Sequence, residues 1–588
     1  MRYQEHATKE PLIWVILIAF LSISLLSSAF RNSSKSSNEL HLTDSDHYSW
    51  LLHTEEADSK NTLTIHHINW DGGPLGRELH WASGLQWVLR LGAKAWQYLH
   101  PQVFKEALAQ TATYSIAILN ILLVITSFLL TSMLFSKATA GLITCSVYFT
   151  PNIVGFLRPY WIDHPNLLIA SMFLFMLGIL GMFFSMHKAS SAVMSGIGAG
   201  FGVWISAVNT IPIFGLVLIG VAITIVLRAK HTKNLKPQLW LIWGLAASIT
   251  SGAFYLVEYF PSAPVILEAN NPLYTIALFG TGLTLKYLQT RSKKAIFASV
   301  LILTPLIFKI YSGSTIVLSE PYFIRHMSLI SEARQINDLT LFGIPGILGL
   351  VVFILYYRGK FYDWQALLPF GLSSFILFVL SLTSARILPY CILSILFLSF
   401  TAIFLSKTRF TRATLVTILY VNILLGIIFL AFVAITKHGT TNSRMQNIRN
   451  TAKIIIEDAK ANKIPIRLFT SIDAAPAYAY FTGGNVYGGP YWEGINNLVA
   501  GSKLYIETDD MKAERWLREN KIAYICIDDF GLLFSYPLLG ETALSGNKNW
   551  FGTRLTYPAK IPQFLILLSD KKPILSCDRV FRVNENKK

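Results

Sequence analysis

The feature that most constrains this chain is a long series of apolar runs separated by short polar connections. About thirteen of these runs have the length and composition of a membrane-spanning helix. They lie near residues 12–30, 113–135, 138–157, 166–186, 192–208, 211–228, 237–257, 273–289, 295–312, 340–357, 364–383, 387–406 and 413–436. Because a backbone inside lipid must satisfy its own hydrogen bonds, such runs form helices. The sequence therefore predicts a mainly α, polytopic membrane protein of about 13 transmembrane helices.

The positive charges predict how these helices are oriented. Only 14% of the 588 residues are charged, yet the formal net charge is +17. Lys and Arg gather in every second connection, which is typical of connections on the cytoplasmic side of a membrane. These basic connections are residues 136–137, 187–188, 228–236, 291–294, 358–360 and 407–412. We therefore predict a cytoplasmic N-terminus. Because membrane orientation explains the basic residues, we expect no nucleic acid among the partners.

The first apolar run, residues 11–29, has two interpretations. It ends in Ser-Ser-Ala, as a signal peptide can, but a run of about 18 residues is long for a signal peptide and right for a span. We predict a retained first helix.

The long segments of the chain fall on the side opposite the basic connections. One is the first outer loop, residues 31–112, and the other is the C-terminal segment, residues 437–588. In the latter, a strand-like stretch at 466–471 and a helical stretch at 511–520, followed by a buried strand at 522–527, indicate an α/β layer structure. We predict a transmembrane domain over 1–436 and a soluble, extracytoplasmic α/β domain over 437–588.

A short acidic stretch, residues 42–50, follows the first apolar run. It places Asp44 and Asp46 two residues apart, so in an extended backbone both side chains project to the same side. Two carboxylates on one side are a common start of a divalent-metal site. The alternative is an N-cap cluster before a helix that begins near His47. The stretch alone favours neither interpretation.

The second outer turn, residues 158–166, begins with Arg158 and ends in Asp163-His164 just before a span. Asp163 is a further candidate metal ligand, because oxygen ligands from several loops can hold a cation at a membrane face. The alternative is a helix N-cap followed by Pro165 in the first turn.

Two more candidates lie late in the chain. Glu320 and Glu332 each follow a serine in the outer loop 312–340, and residues 331–338 also have the features of a helix cap. Arg386 stands between two apolar spans, where an unpaired guanidinium is costly. A phosphate at the membrane surface would pair with it bidentately. Extension of the side chain to lipid headgroups is the alternative.

Together these motifs resemble the GT-C glycosyltransferases, and within them the catalytic subunit of oligosaccharyltransferases and its bacterial relatives. The matching positions are Asp46-His47-Tyr48 in the first outer loop, His80-Trp81 after Asp71-Gly72-Gly73-Pro74, Asp163-His164 in the second outer turn, the late Ser-Glu elements, and Arg386 at a span end. The Trp-Trp-Asp motif that reads the acceptor in that family is absent, and residues 489–494 are a poor counterpart.

The resemblance implies specific roles. Asp46 and Asp163, with Asp44, are implied as ligands of a divalent cation, Mg or Mn. Asp46 and Glu332 are implied as catalytic residues, the first as base and the second positioning acceptor or metal. The residues implied in substrate binding are Tyr48, His80, Arg158, His164, Glu320 and Arg386.

The implied reaction moves a sugar or oligosaccharide from a polyprenyl phosphate or diphosphate to an acceptor protein, lipid or glycan. It takes place on the outer face of a bacterial inner membrane, where the carrier is held in the membrane lipid. A polytopic transporter or lipid flippase is the competing class. The spans contain few ionisable residues, which disfavours a transporter because ion-coupled transport needs such residues within the membrane. A non-catalytic assembly factor that uses the C-terminal domain is a third.

Overall fold

The computed structural model describes residues 10–33, 40, 42, 44–260, 267–312, 322, 325, 339–435, 443–489, 494–527, 535, 537–539, 548–556, 560–570 and 579–584. Most of these residues are helical. The helices are α1 (Glu10–Asn32), α2 (Asp46–Ser59), α3 (Gly84–Leu99), α4 (Phe104–Leu134), α5 (Lys137–Tyr148), α6 (Pro151–Phe156), α7 (Pro165–Phe184), α8 (Lys188–Val226), α9 (Lys230–Lys233), α10 (Gln238–Glu258), α11 (Pro272–Gln289), α12 (Lys294–Ile302), α13 (Thr304–Ser312), α14 (Gly343–Tyr357), α15 (Leu368–Thr383), α16 (Leu388–Leu405), α17 (Arg409–Ile435), α18 (Ser443–Asn462), α19 (Ala475–Thr482), α20 (Ile495–Ile506), α21 (Asp510–Glu519) and α22 (Phe551–Leu555).

The membrane-spanning architecture predicted from the apolar runs is confirmed. Within the described ranges, 8 helices are long and apolar enough to cross a membrane. They are α1, α4, α7, α8, α10, α15, α16 and α17. The spans of α15 and α16 include the short 3₁₀ turns that precede these helices, Trp364–Leu367 and Ala385–Ile387. The remaining predicted runs lie on helices that are shorter, divided or less apolar, namely α5 with α6, α11, α12 with α13, and α14.

The long helix α8 is two helices in space. Ser206 has an extended backbone (φ −163°, ψ 99°) inside it. A Cβ added to Gly202 would lie 2.8 Å from the ring of Phe214. In a straight helix these two residues would be about 18 Å apart along the axis. The chain therefore reverses near Ser206, and the two halves correspond to the separate runs predicted at 192–208 and 211–228.

Buried amides hold the helices together near the end of the bundle where α7 begins and α10 ends, here called the outer end. Asn120 of α4 donates to the carbonyl of Leu157 (2.8 Å), and its own side-chain oxygen accepts from Asn166 of α7 (2.8 Å). Asn422 of α17 donates to Thr150 Oγ1 (2.9 Å). Because unpaired polar groups are expensive in an apolar interior, these contacts fix the second outer turn relative to three helices.

The first outer loop folds as a compact unit over the outer end. It contains α2, α3 and a two-stranded antiparallel ribbon, β1 (His67–Ile68) with β2 (Arg77–Glu78). Asp58 at the end of α2 joins the two helices, because it accepts from Arg90 Nε (3.0 Å) and Lys94 Nζ (2.9 Å) of α3. The position of α2 therefore follows that of α3.

The C-terminal segment contains a five-stranded sheet flanked by helices, so the predicted α/β structure is confirmed. Its strands are β3 (Arg467–Phe469), β4 (Asn485–Tyr487), β5 (Tyr524–Ile527), β6 (Leu565–Asp570) and β7 (Arg579–Val583). Their order is β4-β3-β5-β7-β6. β3 is parallel to both of its neighbours, whereas β7 is antiparallel to β5 and β6.

This sheet is attached to the first outer loop through a buried charge. Asp71 Oδ1 accepts from the backbone N–H of Gly489 (2.6 Å), and Oδ2 accepts from Arg77 Nε (2.7 Å). The two side chains of this ion pair are 0% and 2% exposed. Beside it, Gly73 has φ 73°, and a Cβ there would lie 2.7 Å from the ring of Tyr487. A glycine is therefore required at the point where β4 meets the loop.

We expect Asp71→Ala to weaken the attachment of the C-terminal segment. The substitution leaves Arg77 buried without its carboxylate, and breaking such a pair costs about 3–5 kcal/mol. Thermal unfolding of the purified protein in detergent should begin at a lower temperature, with earlier proteolytic cleavage of the C-terminal segment. Glu78→Ala is the control, because the Glu78–His67 pair is exposed and such pairs contribute little. Equal melting of both variants would contradict the assignment.

Candidate active site

The acidic stretch lies at the start of α2. Asp44 Oδ1 accepts the backbone N–H of Asp46 (3.2 Å), the first residue of the helix, and both carboxylates are exposed. Between them, Ser45 is buried and its hydroxyl accepts the backbone N–H of Ala477 from α19 (3.0 Å). The helix-cap alternative therefore describes part of what Asp44 does. The C-terminal segment thus holds the stretch through Ser45, while Asp44 and Asp46 are exposed.

Tyr48 does not fit the predicted role in substrate binding. It is fully buried, its hydroxyl donates to the carbonyl of Leu40 (3.0 Å), and it accepts the backbone N–H of Leu42 (3.2 Å). Burial raises the pKa of this phenol to about 12. Its ring packs on Tyr480 of α19. The hydroxyl is fully used in holding the chain that leads into the acidic stretch, so Tyr48 supports the site rather than touching substrate.

Asp163 has the arrangement expected of a functional carboxylate. A single oxygen, Oδ1, accepts from the indole N–H of Trp50 (3.2 Å), the backbone N–H of His164 (2.7 Å) and His164 Nδ1 (2.7 Å). The side chain is 26% exposed, and Oδ2 has no hydrogen-bond partner among the described residues. One oxygen therefore fixes the carboxylate while the other remains available to a ligand.

The electrostatics keep Asp163 ionised. Burial by itself would raise its pKa, but the charge of His164 and the hydrogen bonds from it, together with His47, lower the pKa to about 2. A carboxyl with a lowered pKa stabilises the fold above its unfolded pKa of about 3.9 and loses that contribution as the pH falls toward 2. At neutral pH the Asp163 carboxylate is therefore an anion.

His47 connects the two acidic elements. Its ring is buried and lies edge-on against Trp161, with 4.9 Å between the centroids. Burial lowers its pKa, Asp44 and Asp163 act in the opposite direction, and Arg158 adds to the lowering. The sensitivity of one ring to all three charges places Asp44, Asp163 and Arg158 around it. The His47–Trp161 packing and the hydrogen bond from Trp50 to Asp163 thus join the first outer loop to the second outer turn.

Aromatic rings form one side of the site. His164 is buried, with Trp81 edge-on against it at 4.5 Å and Trp50 at 5.9 Å. His164 therefore orients Asp163 and is itself held by two indoles. The sequence prediction did not assign a role to Trp50 or Trp161. Their presence beside the two acidic motifs was visible in the sequence, but which ring turns toward which acid depends on the fold.

The two predicted arginines have different surroundings. Arg158 is half-buried over the rings of Tyr160 and Trp161 (5.6 Å to each centroid) and donates to the carbonyl of Gly155 (2.8 Å). Arg386 is half-buried in the short turn between α15 and α16. It has no hydrogen-bond or ion-pair partner in the part of the chain that the structure describes. No contact between described residues joins Arg386 to Asp46 or Asp163.

Glu258, the last residue of α10, connects several elements at the outer end of the bundle. Glu258 is 2% exposed and accepts from the backbone N–H (3.1 Å) and hydroxyl (2.6 Å) of Ser83 and from the indole of Trp204 (3.2 Å). It thereby ties the start of α3 to the outer ends of α8 and α10. His80 lies three residues before Ser83, and burial lowers its pKa to about 4. Neutral His80 stays a predicted substrate contact.

The carboxylates have the donor chemistry of a hard divalent cation, although the described residues contain no group of three or more potential ligands. Mg²⁺ is commonly held by one or two carboxylates, with water and substrate phosphate completing the shell. Oδ2 of Asp163 and the exposed carboxylates of Asp44 and Asp46 fit that pattern. Glu320 and Glu332, the other predicted acids, lie outside the described residues, so their roles stay predictions.

Loss of the Trp50 hydrogen bond should loosen Asp163 without unfolding the protein. We expect Trp50→Phe to lower the rate of the reaction at this site about tenfold, because one hydrogen bond to a charged group is worth about 1.5 kcal/mol. Trp96→Phe is the control, since the Trp96 indole donates to Gln110 instead. The readout is sugar transfer in detergent, with melting temperature as the check of folding. Equal rates in the two variants would contradict this role for Trp50.

Solved structures show which known fold the chain resembles. A structure of the Archaeoglobus fulgidus oligosaccharyltransferase tethered to an acceptor peptide with an NVT sequon matches with a TM-score of 0.63 at 14% identity, over 89% of this chain and 71% of that chain. The same organism's oligosaccharyltransferase AglB, in complex with an inhibitory peptide and a dolichol-phosphate, matches with a TM-score of 0.62 at 14% identity, over 89% and 70%. ArnT from Cupriavidus metallidurans bound to undecaprenyl phosphate matches at a TM-score of 0.47 and 11% identity, over 98% of each chain.

No protein-family model and no curated protein sequence matches the chain. At 14% identity the structural likeness concerns the fold, and it extends over both the helical bundle and most of the rest of the chain. The chain has the GT-C fold, in the form seen in archaeal oligosaccharyltransferase.

Proposed function

We propose that this chain is a membrane glycosyltransferase. It moves a sugar or oligosaccharide from a polyprenyl phosphate or diphosphate to an acceptor protein, lipid or glycan at the outer end of the bundle. The observation that carries the proposal is Asp163, an ionised carboxylate that uses one oxygen in hydrogen bonds and leaves the other available, joined by Trp50 to α2 with its acidic start. In support, archaeal oligosaccharyltransferase structures of the same fold contain a dolichol-phosphate or an acceptor peptide.

The donor carries the charge that the site has to handle. Its isoprenoid tail remains in the bilayer, and transfer of the sugar leaves a phosphate or diphosphate whose negative charge grows in the transition state. Arg386 lies between α15 and α16 without a described partner, and a guanidinium binds phosphate oxygens bidentately. We assign Arg386 to the leaving phosphate, with Arg158 beside the acids as a second cation.

The acceptor must lose a proton as it attacks the sugar. Asp46, in the first turn of α2, has an exposed carboxylate, and we assign it as the base that takes that proton. Glu332 in the following outer loop is proposed to position the acceptor. A Mg or Mn ion held by one or two of the carboxylates of Asp44, Asp46 and Asp163, with water and the donor's phosphate completing its shell, would supply positive charge for the leaving phosphate.

The proposed orientation places this chemistry outside the cytoplasm. The basic connections lie at the opposite end of the bundle. There the backbone N–H of Lys407 donates to the carbonyl of Lys360 (3.0 Å), and His231 Nε2 lies 3.9 Å from Asp363 Oδ2. With these in the cytoplasm, the first outer loop and the C-terminal segment face outward. In a bacterium this is the periplasmic side of the inner membrane.

Replacement of Asp163 by Asn tests the central assignment. The change keeps the shape and removes the charge, so transfer of radiolabelled sugar from an extracted polyprenyl-linked pool should fall about a hundredfold or more. Asp363→Asn is the matched control, because Asp363 is also a buried acid beside a histidine, but at the basic end. Unchanged transfer by Asp163→Asn would sink the assignment. Lipid movement across vesicles without transfer by the wild type would instead support a flippase.

Metal dependence can be separated from the role of Asp46. With EDTA the wild type should lose transfer and regain it on addition of Mg²⁺ or Mn²⁺, because the cation offsets the charge of the leaving phosphate. Asp46→Asn should stay inactive at any metal concentration if Asp46 takes the proton. Asp44→Asn should regain activity as metal is raised, because it loses only a ligand. Full activity in EDTA would show that the carboxylates act without metal.

A further inference from the structure

His53 of α2 is a polar side chain in an apolar setting. It is 3% exposed, and neither ring nitrogen has a hydrogen-bond partner among the described residues. Its neighbours Leu51 and Leu52 are buried and carry no polar side-chain atom. An unpaired polar atom in a protein interior is costly, so an apolar side chain would be the more stable choice if packing were the only requirement. The ring nitrogens of His53 therefore call for a partner.

A second unpaired group lies beside this imidazole. Trp70 is 7% exposed, and its indole N–H has no hydrogen-bond partner in the part of the chain that the structure describes. The two ring centroids are 5.7 Å apart, with 35° between the ring planes. An indole N–H is only a donor, whereas a neutral imidazole has one donor and one acceptor nitrogen. Two neighbouring buried rings thus carry complementary polar atoms that do not bond to each other directly.

The surrounding charge keeps the imidazole neutral. Burial and the charge of Arg77 hold the pKa of His53 well below its usual value. Arg77 pairs with Asp71, the residue after Trp70. At neutral pH one nitrogen of His53 is therefore an acceptor, and its partner must donate a hydrogen bond. A water molecule can do this and also accept the N–H of Trp70.

We propose that His53 and Trp70 enclose one structural water molecule, which accepts the indole N–H of Trp70 and donates to the unprotonated nitrogen of His53. Buried waters in proteins typically pair polar groups that the chain itself leaves unsatisfied. The site lies inside the first outer loop, between α2 and the turn that joins β1 to β2. The water completes the core of that loop.

This water site connects to the candidate active site through Trp50. Trp50 precedes His53 by three residues on the same side of α2, and the two rings lie 6.0 Å apart at 76°. The Trp50 indole donates to Asp163 Oδ1 (3.2 Å). On the other side, the carbonyl of Trp70 accepts the backbone N–H of Val486 in β4 (2.7 Å). His53 is therefore a positioning residue, which acts on Asp163 through Trp50 from a site that the C-terminal segment holds in place.

A double-mutant cycle on the full-length protein in detergent tests the shared water. His53→Phe and Trp70→Phe should each lower the melting temperature, because each leaves the water and the remaining polar group with one partner fewer. The double variant should lose clearly less than the sum of the two, because it removes both groups that need the water. Tyr480→Phe is the control. Its hydroxyl is also buried without a described partner, but its ring contacts Tyr48 and Phe481, so its effect should add to that of His53→Phe without coupling.

The opposite sign would overturn the proposal. If the nitrogens of His53 have no partner at all, His53→Phe removes a costly group and raises the melting temperature, and the effects of the two substitutions simply add. A cryo-electron microscopy map of the full-length wild type in nanodiscs is a readout that needs no variant to fold. We expect density for a water within hydrogen-bond distance of both His53 and Trp70 Nε1. No density there, in a map that shows other buried waters, would equally overturn it.

A third measurement rests on the proposed function. His53→Phe should lower kcat for sugar transfer several-fold and leave the donor KM unchanged, because Asp163 acts on charge that develops in the transition state. Either His53→Asn or His53→Gln, which place an amide near one or the other ring nitrogen, should restore most of the rate. In the Trp50→Phe variant, His53→Phe should cause no further loss.

A higher donor KM with unchanged kcat, or additive losses with Trp50→Phe, would contradict the positioning role. If the wild type transfers no sugar, the proposed function fails, and the melting and density measurements still decide the water site.

Discussion

The buried carboxylate of Asp71 is the contact on which the arrangement of the outer end depends. It lies in the first outer loop, pairs with Arg77 of the same loop, and accepts a backbone N–H from the C-terminal segment. A buried charge is tolerated only when its partners are in place. The loop therefore reaches its final form together with the C-terminal segment. The consequence extends to α2, because Ser45 and Tyr48, on either side of Asp46, rest on α19 of that segment.

A second consequence is that neighbouring residues of each acidic motif have different roles. At each acidic motif the acids are exposed or partly exposed, and the residues beside them are buried. Asp46 is exposed while His47 and Tyr48 are buried, and Asp163 is partly exposed while His164 is buried. The buried histidines and tyrosine use their polar atoms or rings on the protein, so they determine where the carboxylates point. The resemblance to a known family implied roles at the site for Asp46, Tyr48, Asp163 and His164. The packing separates the carboxylates, which can reach a ligand, from the residues that hold them.

Much of the fold could be predicted because it depends on local composition. Apolar runs, basic connections and the strand and helix patterns after residue 443 each follow from a few neighbouring residues, and they gave the bundle, its two ends and the α/β segment. The location of the acidic stretch and of Asp163 at the same end of the bundle could be anticipated from the alternation of spans. The burial of Tyr48 and the hydrogen bonds of Glu258 could not be predicted in this way. Both depend on contacts with residues more than a hundred positions away in sequence, Tyr480 for Tyr48 and Ser83 for Glu258. An acid at a span end looks the same in sequence whether it faces solvent or, like Glu258, accepts three hydrogen bonds.

The remaining question is how a site above the membrane meets a substrate that cannot leave it. A lipid-linked sugar presents its phosphate at a fixed height, so the carboxylates must be held at a matching height to within about an ångström for the reacting atoms to align. Loops alone would leave that distance free to vary. Here Asp58 links α2 to Arg90 and Lys94 of α3, and Glu258 links the start of α3 to the end of α10. These contacts hold the acid at the start of α2 at a set distance from the outer end of α10, a helix long and apolar enough to span the membrane, and therefore at a set height relative to the donor's phosphate.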